Sequence, residues 1–558
     1  MTRDELFKHN LFDSYVADEY PQGICDASAR NARTLDGSCN DLALPKMGSV
    51  GYRFGRNVAL DKIPQHKSDE ELMSPNPRTV AQKLLKRTEF TPASSVNLFV
   101  VAWIQFQVHD WMDHERAWGS PVEVPIPIDD PLAGKKEKLY LPRSVQDPAQ
   151  KAASPGRPAA FKNKVSHWWD LSQIYGVTSE INNRIRTGVD GKLRLDTDGL
   201  LPLDTDGMDI TGFKDNWWTG IMLLHTLFTR EHNAICDMFK SKHADWSDQK
   251  LHDMARLVLT AQNAKIHTLD WTPGILQNKI LKTAMQANWD GLLPDGLDNW
   301  KGGSVLTGIV GGNKDLHGVP FSLTEEFSAV YRLHSLMPDT LNVLSATTKK
   351  PTGKTYPLAD ITFRGARKPV TENTLADVML TFGATVPGAL TLNNYPTWLM
   401  NLTKPGEPFV IDLATTEIFR DRERGIPRYL AFRRALNMEP EFKTWKDINP
   451  SPAVQKQLAS VYASPEDVDL LVGCMAEQPR PDGYGFSDTQ FHVFILMAAR
   501  RLWTDRFFTD DYRPEIYTKE GIEWVKTQGN FKSLVTRHFP ELKSVMDSVD
   551  NPFKPWKV

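Results

Sequence analysis

Apolar residues recur at helical spacing along much of this chain, most clearly over 96–115, 217–241, 251–268, 324–336, 374–390 and 487–503. Strand-like alternation is weak by comparison. The pattern predicts an all-α fold with little β-structure. The residues with chemical potential are scattered from 105 to 506, and no repeat of solenoid length is present. One large helical domain explains that spread better than the several modules that 558 residues would allow. The expected organisation is an N-terminal extension, 1–70, packed on a catalytic domain over 71–558. Thr91-Pro92-Ala93-Ser94-Ser95 suits the capping region of the first long helix.

Two segments stand apart. Residues 119–160, rich in Pro, Lys and Gly, read as an exposed excursion. Asp196-Thr197-Asp198-Gly199 and Asp204-Thr205-Asp206-Gly207 suit turns. An EF-hand would need Gly at the sixth loop position, where Asp209 stands if counting begins at Asp204.

A formal net charge of −3 argues against a nucleic-acid partner, which would call for a basic surface. Cys25, Cys39, Cys236 and Cys474 form no CxxC pair and are expected to be buried or free thiols. The opening Met1-Thr2-Arg3-Asp4-Glu5 is charged and lacks the apolar core of a signal peptide. The longest apolar runs, 98–104 and 493–499, fall far short of the roughly 20 residues that span a bilayer. The expectation is a soluble, cytoplasmic protein, or at most one peripheral on a membrane.

Within the apolar 96–115 stretch, Gln105 and His109 are four apart and share a helix face. Such polar groups are costly to bury without partners. Asp110 points about 100° away and serves another neighbour. A candidate neighbour is Ser166-His-Trp168-Trp-Asp170-Leu-Ser172. In an extended loop, the oxygens of Ser166, the Trp168 carbonyl, Asp170 and Ser172 would point to one side, as hard ligands for calcium. Further on, Tyr331 and His334 are three apart in a segment that reads as helical up to Pro338, again on one face. A neutral imidazole there could ligate haem iron. His114, five residues after His109, reads as a surface histidine.

Taken together, these segments resemble the animal-type haem peroxidases and cyclooxygenases. Gln105-x-x-x-His109-Asp110 looks like their distal haem motif, and Asp170-Leu-Ser172-Gln-Ile-Tyr175-Gly176 resembles their calcium loop. His225-Thr226-Leu-Phe-Thr-Arg230-Glu231-His232-Asn233 and Arg420-Asp-Arg422-Glu-Arg-Gly425-Ile-Pro427 follow in the family's order. Tyr331-x-x-His334 narrows the resemblance to members with a radical tyrosine before the proximal histidine. Ala264-Lys265-Ile266-His267-Thr268-Leu-Asp270-Trp271-Thr272 and Arg500-Arg501-Leu-Trp-Thr-Asp505-Arg506 look like the carboxylate-holding segments of fatty-acid α-dioxygenases.

The resemblance implies haem b with His334 as axial ligand, His109 and Gln105 on the distal side, and Arg420 at a propionate. It implies Ca2+ held by Asp110, Ser166, Trp168, Asp170 and Ser172. It also implies Tyr331 as radical carrier, with His267, Thr272 and Arg501 gripping a long-chain fatty acid; Arg500 and Arg506 are alternatives to Arg501. Val108 stands where mammalian peroxidases carry an aspartate esterified to haem, so the cofactor is expected to be held non-covalently. Glu417 stands where they have an asparagine bonded to the proximal histidine, which raises the question of whether it orients His334. The expected reaction is α-dioxygenation: a hydroperoxide activates the enzyme, and O2 adds beside the carboxylate to give a 2-hydroperoxy acid. A peroxidase of small reductants and a mid-chain fatty-acid oxygenase are the alternatives.

Overall fold

A computed structural model describes residues 3–14, 22–26, 28–65, 68–150, 158–292, 307–403 and 409–558. Eight of its helices build the site: α1 (Phe99–Trp111), α2 (Thr219–Lys242), α3 (Asp248–Ile266), α4 (Lys279–Asp290), α5 (Glu325–Val330), α6 (Leu375–Ala384), α7 (Leu413–Glu423) and α8 (Asp488–Thr504). One continuous core holds α1, α2, α3 and α8, with Val100, Phe106, Leu224, Val258 and Leu496 removed from solvent. Among the described residues no helix is long and apolar enough to cross a membrane.

Local chemistry sets several helix starts. Ser247 caps α3, Thr324 caps α5, and Ser487 with Gln490 forms a reciprocal capping box at α8. Residues 91–95 do not cap α1; the Asn97 side chain accepts from the Phe99 N–H instead. The tetrads near 200 are turns, closed by Gly199 N–H to Asp196 O and Gly207 N–H to Asp204 O. Asp204 is engaged by Arg184 and Lys214.

Among the described residues, the sheets are two antiparallel pairs, β1 (Arg116–Pro125) with β2 (Lys138–Ser144), and β3 (Thr340–Leu344) with β4 (Pro351–Pro357). The first pair corrects the expected excursion over 119–160, of which 151–157 lies outside the described residues. Val122 and Val124 alternate with exposed residues, as Leu139 and Leu141 do with half-buried ones, and these four pack on Phe419 of α7. The hairpin therefore walls the cavity beside α7.

The N-terminal part is built into the core. Cys25 and Cys39 form a disulfide, which corrects the expectation of four thiols; Cys236 and Cys474 are free and buried. Arg33 bridges Asp170 and Asp505 at 3.1 and 2.9 Å, and Asn40 reaches Asp505 at 2.9 Å. Gly37, at φ +73°, lies so close to the 166–172 loop that a Cβ would stand 2.5 Å from Ser166 Cβ.

Candidate active site

Residues singled out by the sequence line two separate cavities. The larger, about 1640 Å3 and open at its mouth, lies between α1, α7 and the segment after α5. Gln105, Val108, His109, Tyr331, His334 and Arg420 all reach it. The smaller is a narrow crevice lined by His267 and Thr272 on one side and by Met285, Ile495, Ala498 and Leu502 on the other.

Gln105 is held on both sides of its amide. Trp218 Nε1–H donates to its oxygen at 2.7 Å, and its nitrogen donates to Asn216 O at 3.0 Å while approaching His109 Nε2 at 3.5 Å. Indole can only donate, so the amide orientation follows from chemistry. Opposite, the His334 side chain is 39% exposed, enough to present a ring nitrogen to the cavity. Its Nδ1 lies 2.6 Å from Glu417 Oε1, close contact without hydrogen-bond alignment. Burial raises the Glu417 carboxyl, but His334 and Arg332 outweigh it and hold the group below the usual range. Tyr395 OH donates to the other Glu417 oxygen at 3.1 Å.

The predicted helix through His334 breaks. α5 ends at Val330, and a 3-10 turn restarts at His334. The Val330 carbonyl, which a continuing α-helix would give to the His334 N–H, accepts from Gln490 Nε2 at 3.0 Å. Tyr331 and His334 still line one cavity, but a break rather than a shared helix face puts them there.

Arg420 is the unsatisfied cation of this cavity. Its Nε is buried without a partner. Burial, then Arg424, Arg116 and Arg332, pushes its pKa down to about 9. The other arginines in the motif have protein partners: Arg422 grips Asp469 at 2.8 and 2.7 Å, and Arg424 reaches Ser144 at 3.0 Å. An under-neutralised guanidinium, a half-open imidazole and a large cavity between them suit a flat acidic cofactor such as haem.

Tyr331 leads to the second centre. Its hydroxyl is buried without a hydrogen-bond partner, and burial holds its proton far above the usual phenol range. Arg501 lies beside it at 0% exposure. The guanidinium is sandwiched between Trp111 and Trp169, at 3.9 and 4.1 Å from the ring centroids. Its Nη2 donates to the Trp168 carbonyl at 3.4 Å, whereas Nε and Nη1 have no partner. Burial brings its pKa down to about 9, against the opposing pull of Asp110 and Tyr331. Arg500 instead donates to the carbonyls of Leu316, Val319 and Pro320, and Arg506 to those of Ala29, Arg30 and Cys39 and to Asp511. Of the three arginines, Arg501 has idle donors beside Tyr331.

His267 and Thr272 are five apart, a spacing that diverges on an α-helix. The chain makes a π turn over His267–Trp271, and both the N–H and the hydroxyl of Thr272 bond the His267 carbonyl. That wide turn brings the pair onto one cavity wall. His267 is buried, and burial followed by Arg501 holds its pKa well below the ordinary value.

The oxygens expected around calcium gather only in part. Ser172 closes on Asp110 through its N–H at 2.6 Å and its hydroxyl at 2.9 Å, and Ser166 donates to Asp170 at 2.5 Å. The loop is not extended throughout: Leu171 is left-handed and Ser172 begins a helical turn. Among the described residues, no three His, Cys, Asp or Glu side chains cluster as a metal site. Asp110 Oδ2 is nevertheless buried without a partner, and burial, then Asp170, pushes that carboxyl up to about 7. An unsatisfied carboxylate among hydroxyl and carbonyl oxygens fits a hard cation.

His114 corrects the surface expectation. It is buried against Glu325 at 2.9 Å, and burial, then Arg424, lowers its pKa to about 4. Sequence reasoning missed Trp111 and Trp169, whose roles around Arg501 carry no signal apart from core aromatics.

Residues 32–550 match the family model described as animal haem peroxidase. The chain is 39% identical to alpha-dioxygenase PIOX of Oryza sativa over 94% of its own length and 86% of the relative's. It is 38% identical to alpha-dioxygenase 1 of Arabidopsis thaliana, over 98% and 87%. The crystal structure of a Tyr-to-Phe variant of Oryza sativa fatty acid alpha-dioxygenase with palmitic acid superimposes at a TM-score of 0.92. That match has 36% identity and covers 100% of this chain and 92% of the other.

Proposed function

Because the chain belongs to the animal haem peroxidase family, and within it to the alpha-dioxygenases, we propose that it is a haem-dependent fatty-acid α-dioxygenase. The observation that carries this reading is the buried guanidinium of Arg501, with idle donors, beside the buried, unpartnered hydroxyl of Tyr331. A buried cation without a counter-ion is costly, and a carboxylate entering between Arg501, His267 and Thr272 offsets that cost.

His334 would hold haem from one side and His109 would face it from the other, with Arg420 toward a propionate. Val108 offers no ester-forming group, so the cofactor is held non-covalently. Once bound and activated by a hydroperoxide, haem supplies the one-electron oxidation of Tyr331. His109, steadied by the fixed amide of Gln105, accepts and returns the proton of that hydroperoxide. Glu417, at 2.6 Å from Nδ1, orients the ring of His334. The 166–172 loop, with Asp110, holds Ca2+ through Ser166, the Trp168 carbonyl, Asp170 and Ser172.

Anchoring the acid head group leaves the adjacent carbon nearest the Tyr331 oxygen. The oxidised Tyr331 takes one hydrogen atom from that carbon and becomes a phenol. O2 adds to the carbon radical. The resulting peroxyl group takes the hydrogen back from Tyr331, which restores the phenoxyl radical and releases a 2-hydroperoxy acid. The surrounding rings of Trp111, Phe327 and Phe494 exclude water from the radical. The apolar cavity between α4 and α8 takes the start of the alkyl chain, at about 0.8 kcal/mol per buried methylene.

Incubating haem-loaded protein with palmitate and O2 tests this. The expected products are the 2-hydroperoxy acid and, after loss of CO2, the aldehyde one carbon shorter. No O2 uptake with saturated acids, together with fast guaiacol oxidation, would identify a peroxidase instead. Uptake restricted to polyunsaturated acids would identify a mid-chain oxygenase.

A further inference from the structure

We propose that Trp103 is a positioning residue that fixes the tautomer of His267, with the ring hydrogen on Nε2 available to the substrate carboxylate. This rests on the reading of His267 as a carboxylate ligand. Trp103 Nε1 lies 3.1 Å from His267 Nδ1, and both residues are buried. An indole N–H donates and cannot accept, so Nδ1 must be the acceptor. A neutral imidazole with a lone pair on Nδ1 carries its single hydrogen on Nε2. The opposite tautomer would set two N–H groups against each other and offer the acid a lone pair, which repels it.

The contact is set by the register of two helices. Trp103 and Gln107 lie one turn apart on α1, as Asn263 and His267 do at the end of α3. Gln107 and Asn263 exchange two amide hydrogen bonds, at 2.8 and 2.9 Å. That reciprocal pair fixes where α1 meets α3, and the next rung is Trp103 with His267. The ring cannot swing away: Trp271 stacks on it at 4.7 Å, while Trp111 and Trp169 stand against it at 5.4 Å. α1 therefore serves both cavities, with His109 on one face and Trp103 on another.

The direct test needs no substrate. In 15N-histidine-labelled, haem-loaded protein in its diamagnetic ferrous carbon-monoxide state, the His267 signals are assigned by their loss in His267→Gln. A protonated Nε2 and an unprotonated Nδ1 are expected; a protonated Nδ1 overturns the proposal. Trp103→Phe keeps an aromatic core and removes the donor. It is expected to weaken palmitate binding by about tenfold, the loss of one hydrogen bond, with kcat changed less than about twofold. In a His267→Gln background the same change is expected to have no further effect on palmitate affinity. An equal loss in both backgrounds would make Trp103 a packing residue and overturn the proposal, as would unchanged affinity in the single variant. If the wild-type protein fails to oxygenate palmitate while the Nε2 hydrogen is observed, the functional reading falls and the tautomer assignment stands.

Discussion

The surroundings of His334 and of Arg501 solve opposite problems. On the His334 side, the walls are open and the polar groups are shared among many partners: Gln105 has three, Glu417 has Tyr395 and Arg332 beside His334, and four arginines lie together. Such a surface suits a large rigid cofactor, and each single contact contributes a modest share. At Arg501 there is no exposure and little sharing: one cation, two flanking indoles and a phenol without a partner. The low local dielectric strengthens the one interaction that matters and leaves nothing to replace it. Apart from His334 and His109, single substitutions should therefore be better tolerated in the first region than in the second.

Tyr331→Phe gives the largest expected contrast. Oxygen uptake with palmitate should fall to background while the Soret band keeps its position and intensity; measurable turnover would remove the phenol from the reaction. Arg501→Met comes next. Removing the partner of a buried carboxylate costs about 3–5 kcal/mol, so palmitate affinity should drop by two orders of magnitude or more. The ligand-free variant should melt at a higher temperature, because a poorly compensated buried cation has gone. A lower melting temperature would mean that the indole sandwich outweighs the burial.

The pH dependence follows from the same group, whose pKa burial pushes down to about 9, well below that of an exposed arginine. Below 9 the cation is charged in both states and its burial cost is present in full. Above 9 the unfolded chain binds the extra proton, so this group's contribution to stability improves as pH rises. Palmitate affinity should do the reverse and weaken as pH rises through about 9. Titrating affinity and melting temperature together would separate the two trends.

Calcium should have a smaller, structural effect. At a hundredfold excess over its dissociation constant it should stabilise the fold by about 2.7 kcal/mol, and Asp110→Asn should abolish that increment in a melting experiment. Arg420→Ala is expected to act least, weakening haem retention by about tenfold and leaving palmitate affinity within twofold. A larger loss would show that the cofactor side is as dependent on one cation as the clamp is.

The sequence revealed long helices well and their interruptions poorly. Periodicity located α2, α3 and α8 through their apolar faces, and α1 stands out because all of it but Gln105 and Val108 is buried. Periodicity ran the helix through Tyr331 because nothing local marks the break; the cause is Gln490, 160 residues away, taking the Val330 carbonyl. The Cys25–Cys39 bond was hidden for a related reason, since pairing depends on how residues 28–50 fold back over the 166–172 loop. His114 looked exposed until Glu325 came beside it. Ordered motifs pointed to His334, His109 and Tyr331, yet Arg500, Arg501 and Arg506 could be told apart only by the partners their donors find. Trp103, Trp111 and Trp169 looked like ordinary core, and by burial they are.

The wide turn at His267–Trp271 carries one residue more than an ordinary helical turn, and Thr272 reaches the wall through that surplus. Holding all five of its residues in regular α-helical hydrogen bonding would let α3 run on, so the backbone would lose an irregularity. Thr272 would then rotate about 100° away from its present direction. A redesign that idealised this segment at its present length would improve the helix and dismantle the proposed grip on the acid. On the proposed reading, selectivity for a carboxylate is thus lodged in a local imperfection that stability alone would erase.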